Sequence, residues 1–327
     1  VGNNTSNQQA FFEAEQYSQI ILENLHEFLL PEVMYRDITD FPSGTTLNIK
    51  TVGDVTIQDT DEDDVLTSYP IDTGTITMAI TEFKGAKWHI TDKLREDGAQ
   101  IDQLSGMQTV AVMRAFGEEH QTKYFAAGNA AHTASNLNIV NGRPHRWVAG
   151  GAGASTRIMT IEDFIAAKFA FGRALVPKEG RIAVVDEAVE ATLNGITNLV
   201  NISNNPHFEG IVNTGFAANH TFIKNIYGFD VWTTNMLPVL TATEVLDASS
   251  YNLPNDTAEI GDIVNQFSCV ADDSVKPIMH AWRRPVRVLG WRNEDEERDQ
   301  YKGTSRYGLG TQRKDTLLTV ITHGTNY

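Results

Sequence analysis

The sequence predicts an α+β fold whose elements reach beyond their own domain, on three observations. Ile101–Ala127 is a long, proline-free run of helix formers between Gly98 and the pair Gly128-Asn129. Two period-two segments, around Leu47–Ile49 and Ile76–Ile80, are separated by about 20 mostly polar residues. A helix–strand–helix succession occupies 160–195. At 327 residues the chain has room for about two domains with cores of their own.

The first ten residues are polar and carry no organising pattern. FFEAEQYSQIILENLHEFLLPEVMYRD then places Phe12, Tyr17, Ile20, Ile21, Leu25, Phe28 and Leu29 at helical spacing up to Pro31. Such an arm has little nearby chain to pack on, so it is expected to dock on a later domain or on a neighbouring subunit. Glu13, Glu15, Glu23 and Glu27 make its polar face acidic, the wrong sign for a membrane-surface helix.

From Pro42 the pattern alternates, and two half-buried strands flank an acidic tip, QDTDEDDV. A β-arm of this kind has too few apolar residues to stand alone and is expected to lie on something else. Asp59, Asp61 and Asp63 have the first three spacings of a calcium loop. The sixth position is Asp64 instead of glycine and the twelfth is Pro70 instead of glutamate, so a charged tip that is solvated or meets another subunit is the better reading.

The long helix spans roughly 40 Å at 1.5 Å per residue. Val110–Phe116 is apolar nearly all round, which predicts a middle buried on several sides. Gly117–Lys123 is polar on every side, which predicts an end that is solvated or lies in a wet contact. The stretch after it, through GGAGAS at 150–155, reads as linker with at most one short strand. It lacks the lysine of a phosphate-binding loop.

Thr160 and Asp163 form a capping-box variant, and Ile161, Phe164, Ile165, Phe171 and Leu175 supply the buried stripe of the helix they start. RIAVV reads as a buried strand and DEAVEATLNG as a second helix. Phe222, Ile226, Phe229, Val231 and Trp232 form an apolar stretch with a turn at Gly228, ending by Pro238. Two late strands, PIMHAWRRPVRVLGW and LLTVITHG, are expected to pair with each other across a polar, loop-like NEDEERDQYKGTSRYGLGTQRKD.

With 26 basic against 42 acidic residues, a net of −16, the surface repels nucleic-acid backbones. Trp282, Arg283, Arg284, Arg287, Trp291 and Arg292 mix aromatic and basic groups as single-strand-binding surfaces do, but on a strand they divide between two faces. The single cysteine, Cys269, has no zinc spacing around it and reads as a buried thiol. No HExxH, GxSxG, GxxxxGK[ST] or CxxC occurs, so no catalytic, cofactor or metal residue is expected. No run approaches a membrane span, and the start has no signal-peptide pattern.

Four stretches carry a family likeness by their order and spacing: FFEAEQYSQIILENL, the threonine-rich arm ending in KWHITDKLRED, LVPKEGRIAVVDEAVEATL, and IYGFDVWTTNMLP. With them the chain resembles the major capsid proteins of tailed bacteriophages, of the Hong Kong ninety-seven fold. The resemblance implies an N-terminal arm at 1–41, an extended β-loop at 42–90, a peripheral domain at 91–155 and 261–327 with a spine helix at 92–127, and an axial domain at 156–260. It implies a non-enzymatic coat protein of the virion, assembled in the host cytoplasm through hexamers and pentamers into an icosahedral shell around double-stranded DNA.

The implied partners are further copies of the chain, a separate scaffolding protein and a portal protein at one vertex, with a decoration protein as a further candidate. DNA is enclosed without specific binding, and no membrane is involved. The separate scaffold is expected because the long N-terminal segment that serves some relatives as built-in scaffold is missing. Asp61, Glu62, Asp63 and Asp64 are expected to face Arg298, Lys302, Arg306 and Arg313 of an adjacent subunit, and Phe12, Tyr17, Ile21 and Leu25 are the arm's contact candidates. Some relatives weld their shells through a lysine in the extended loop. Here Lys50, Lys84 and Lys87 lie toward its base, which predicts a non-covalent shell. The alternatives are an encapsulin-like compartment around cargo enzymes and a two-domain α/β enzyme.

Overall fold

The computed structural model describes residues 34–38, 44, 46–53, 57–60, 62, 68, 71, 73–97, 101–132, 136–150, 156–195 and 222–324. The amphipathic stretch with Phe12, Tyr17, Ile21 and Leu25, and the tip residues Asp61, Asp63 and Asp64, lie outside the described residues.

Strand β1 (Arg36–Asp37) precedes an antiparallel hairpin of β2 (Thr46–Val52) and β3 (Thr73–Ala79). Its register sets Leu47 opposite Met78 and Ile49 opposite Ile76, so the period-two pattern gathers the apolar residues on one face. β4 (Glu82–Thr91) runs into α1 (Asp92–Asp97) and α2 (Ile101–Ala131). β5 (Arg146–Val148), α3 (Ile161–Arg173), β6 (Arg181–Val185) and α4 (Glu187–Gly195) follow. Then come two hairpins, β7 (Phe222–Ile226) with β8 (Phe229–Thr233), and β9 (Glu244–Asp247) with β10 (Asn255–Ala258). The chain closes with β11 (Ile263–Cys269), β12 (Ile278–Asn293), β13 (Arg298–Thr311) and β14 (Leu317–Thr322).

One body is a six-stranded mixed sheet in the order β5-β14-β11-β6-β8-β7. Phe164 and Phe171 of α3 pack on it, and Phe267 meets Phe164 and Phe229 edge-on at 5.4 and 5.2 Å between ring centroids. The predicted capping pair starts α3: the backbone N–H and hydroxyl of Thr160 donate to Asp163 Oδ2 at 2.9 and 2.8 Å. Trp147 Nε1 and the Gly150 N–H donate to the same carboxylate, which gives a buried charge four donors. Burial still pushes its pKa above the ordinary range.

Two residues assigned to that stripe are not in it. Ile165 is exposed, and Leu175 is 86% exposed at φ +60° in the turn that ends the helix. Phe164, Ala167 and Phe171 fill the stripe at helical spacing, and Ile165 falls beside it. The apolar stretch 222–232 is a hairpin with its turn at Tyr227-Gly228, where the sequence placed one, and both residues have positive φ as a two-residue hairpin turn requires.

The 144–150 segment is core instead of linker. His145 to Ala149 are buried, and the fully buried Arg146 pairs with Glu244 through two hydrogen bonds of 3.0 and 2.9 Å. Its remaining nitrogen donates to Asn129 at 3.0 Å and Thr319 at 3.1 Å, tying α2, β5, β9 and β14 together.

The other body is a four-stranded sheet, β1-β12-β13-β4, crossed by α2. The stretch expected to be loop is largely β13, a 14-residue strand about 45 Å long at 3.3 Å per residue. β12 pairs with β13, and β14 joins the six-stranded sheet instead of pairing with β12. Glycines made β13 read as loop, yet they sit where other elements cross it. A Cβ at Gly303 would lie 2.9 Å from Phe116 of α2, and one at Gly308 2.7 Å from the Ala79 carbonyl. Met78, Met279 and Ala281 fill the contact where the hairpin meets this sheet.

The long helix differs from expectation in two ways. It begins at Ile101, as read, but runs on through Gly128 to Ala131. Gly128 is there for close approach: a Cβ would lie 2.4 Å from Oε1 of Gln266, whose amide nitrogen donates to the Phe125 carbonyl at 2.5 Å. Burial is also reversed along it. Val110 and Met113 are 47% and 44% exposed, whereas His120 in the polar stretch, and Tyr124 and Phe125 just after it, are buried. The ends of the sheet that α2 crosses decide this, not the helix's own composition.

Candidate assembly interface

Alternation along the ribbon of β12, β13 and β4 gives it two faces of opposite character. The face toward α2 is paired. Lys84 Nζ lies 2.6 Å from Glu119 and 3.2 Å from Glu82, and hydrogen bonding from Glu119 holds its pKa above the usual lysine range. Trp88 stacks on Tyr301 at 5.6 Å. Near α1, Arg292 reaches Asp92 at 2.5 Å and Glu294 at 2.8 Å, and its hydrogen bond holds the Asp92 carboxyl below the usual range.

The opposite face is cationic and unpaired. Register sets Phe83 and Arg284 against Arg306, Gly85 and Arg287 against Thr304, Lys87 and Leu289 against Lys302, and His89 and Trp291 against Gln300. Phe83 is 61% exposed, and Leu289 and Trp291 are also exposed. Lys87 stands 5.5 Å over the Trp291 ring. Among the described residues Arg284, Arg287, Lys302 and Arg306 make no ion pair. Like charges directly opposite on neighbouring strands destabilise a sheet, and two such pairs, Lys87–Lys302 and Arg284–Arg306, concentrate positive charge on this face.

The sequence-level candidates fare unequally. Lys302 and Arg306 share this face. Arg298 is engaged within the chain by Glu296, and Arg313 lies on the turn before β14, donating to the Ser274 carbonyl at 2.9 Å with Asp315 at 3.5 Å. Glu62 is exposed in a turn between β2 and β3. The Trp/Arg cluster divides as alternation requires: Trp282 stacks on His120 of α2, while Arg287 and Trp291 face outward. Phe83, Lys87 and Leu289 were missed because β13, the strand that joins them, was not recognised.

No arrangement for chemistry emerges among the described residues. Cys269 is buried with its thiol pKa pushed up by desolvation, and its Sγ lies 3.5 Å from the Glu179 carbonyl. Burial lowers the His132 pKa to about 3. No group of three His, Cys, Asp or Glu residues is placed to hold a metal ion, and no helix is long and apolar enough to cross a membrane, among those residues.

No protein-family model matches the sequence, and no curated protein matches it. The fold is similar, end to end, to chains of solved capsids. The cyanophage P-SCSP1u capsid structure aligns with a TM-score of 0.71 and 15% identity, covering 100% of this chain and 96% of that one. The mature capsid of bacteriophage PhiM1 gives a TM-score of 0.69 and 12% identity over 97% of this chain and 93% of that one. The capsid of Ralstonia phage GP4 gives 0.64 and 10%, over 97% and 96%. The chain has the fold of phage capsid proteins, the Hong Kong ninety-seven type that its sequence resembles.

Proposed function

We propose that the chain is the major capsid protein of a tailed phage, building an icosahedral shell from hexamers and pentamers around double-stranded DNA. The observation that carries this reading is the end-to-end likeness to solved capsid chains at TM-scores up to 0.71. Supporting it, the cationic ribbon face and the exposed apolar middle of α2 are surfaces without partners among the described residues.

In this reading the β2–β3 hairpin is the extended arm and α2 with the β4-β13-β12 ribbon is the peripheral body. The six-stranded sheet with α3 and α4 is the axial body. Since β5, β11 and β14 hydrogen-bond in that sheet, the axial body takes strands from both sides of 156–260. The acidic tip, including Asp59 and Glu62, meets Lys87, Arg287, Lys302 and Arg306 of an adjacent copy. Each surface pair contributes about 0 to 1 kcal/mol, and only repetition around a closed shell makes the sum large. With a net charge of −16, the chain holds DNA by enclosure, not by specific contact. A scaffolding protein, a portal protein and a decoration protein complete the proposed partners.

Sedimentation of the chain expressed with its genomic neighbours tests this. Particles far larger than any small oligomer, holding nuclease-protected DNA when isolated from virions, are expected. Particles filled with one host enzyme would favour a cellular compartment, and small oligomers alone would contradict both.

A further inference from the structure

Five rings, from α2, β12, β13 and the residue before β1, converge where α2 crosses the base of the β12–β13 ribbon. His120 of α2 lies 4.8 Å from His280 of β12, edge to face, and stacks on Trp282 at 5.4 Å and 18°. Tyr307 of β13 is 5.0 Å from His120. Tyr35, immediately before β1, is 5.4 Å from His120 and 5.0 Å from His280. Both imidazoles are buried, and neither Nε2 has a hydrogen-bond partner.

The nest is also the attachment point of β1. Asp37 pairs in register with His280, its carboxylate lies 3.3 Å from His280 Nδ1, and the Ile38 N–H donates to the His280 carbonyl at 2.8 Å. Among the described residues only two of β1 lie in the ladder, and just before them Met34 is buried, its carbonyl accepting from the Tyr124 hydroxyl at 3.2 Å.

We propose that the His120–His280 nest is an acid-sensitive latch, holding β1 on the ribbon while His120 is neutral and releasing it when His120 takes up a proton. Among the described residues His120 faces the rings of Tyr35, His280, Trp282 and Tyr307, and no carboxylate shifts it. The charged groups around it act elsewhere. Asp37 faces His280, and Glu82 and Glu119 lie toward Tyr307, paired with Lys84. A proton on His120 therefore meets no carboxylate, and stacking on Trp282 offsets only part of the loss of water.

Burial, and next the charge of His280, lower the His120 pKa to about 4. Burial also lowers that of His280, with Asp37 opposing. A released His120 returns toward 6.5, so the open form binds the extra proton between those values. Docking is complete above pH 6.5 and weakens as pH falls toward 4, by about tenfold per pH unit for one proton. Asp37 moderates the effect by favouring a protonated His280. The latch operates within one chain, so it stands or falls independently of shell assembly.

Hydrogen exchange at the Ile38 amide of the full chain, expressed as protection relative to intrinsic rates, is the direct readout. Protection should fall at least tenfold between pH 7 and pH 5. In His120→Phe, which keeps a ring and loses the proton site, protection at pH 7 should persist and the fall should flatten. Asp37→Asn should shift the loss to higher pH. An unchanged protection at pH 5 in the wild-type chain, or an equal fall in His120→Phe, overturns the proposal. Should that variant fail to fold, nuclear magnetic resonance of labelled histidines decides: a His120 midpoint well below 6.5 supports the latch, and a midpoint at or above 6.5 with β1 docked overturns it.

Discussion

Lys302 stands directly opposite Lys87 across the β13–β4 ladder, and Arg306, two pleat repeats further along β13, faces Arg284 on the other side. A chain carrying 42 acidic residues keeps these cations on one exposed face without an ion pair of their own among the described residues. The arrangement is understandable if the counter-charge comes from another copy.

Lys302→Glu combined with Arg306→Glu should abolish or strongly reduce shell formation while leaving the circular dichroism and melting of the unassembled chain within about 0.5 kcal/mol of wild type, as for exposed sites. Adding Asp61→Lys and Asp63→Lys should restore part of the assembly. Full assembly of the double glutamate variant at physiological salt would show that this face is not in the contact.

The Arg146–Glu244 pair is buried and hydrogen-bonded on both sides, so removing one partner strands a charge. Arg146→Ala should lose about 3–5 kcal/mol in urea denaturation. Arg146→Met with Glu244→Leu should recover most of it, since an apolar pair leaves no charge without a partner. Equal losses in both variants would mean that packing, not charge, dominates the site.

Two glycines of α2 should respond in opposite directions to alanine. At exposed Gly106 nothing lies within 4 Å of an added Cβ, so Gly106→Ala gains up to about 1 kcal/mol of helix propensity. At Gly128 the new atom meets Gln266, and Gly128→Ala should lose about 1 kcal/mol or more despite the same propensity gain. Thermal melts of the two variants side by side check the sign.

Particles boiled in detergent should run as a single band. Lys84 is held protonated by Glu119 and Glu82, which makes it a poor nucleophile, and no lysine lies in the acidic tip between Gln58 and Leu66. A ladder of covalent multimers would contradict this.

Much of the fold was legible because local pattern and final environment agree. The alternation of Leu47, Ile49, Ile76 and Met78 gave the hairpin, and Thr160 with Asp163 gave the start of α3. The failures have a common physical cause, since contact with a distant element overrode composition. Gly303, Gly308 and Gly310 made β13 look like loop, although each lies where α2, β3 or a methionine crosses it. Gly128 looked like a helix stop for the same reason. Val110 and Met113 looked like core because an apolar helix face is indistinguishable, in sequence, from one left exposed on the single chain. Half of the candidate interface, Lys302 and Arg306, was named in advance. The other half depended on the strand register that brings Lys87 and Arg287 beside them.

Negative-stain electron microscopy of the expressed chain, with and without its genomic neighbours, tests the capsid reading most directly. Closed isometric shells tens of nanometres across are the predicted result. Only small, discrete oligomers under both conditions would contradict it.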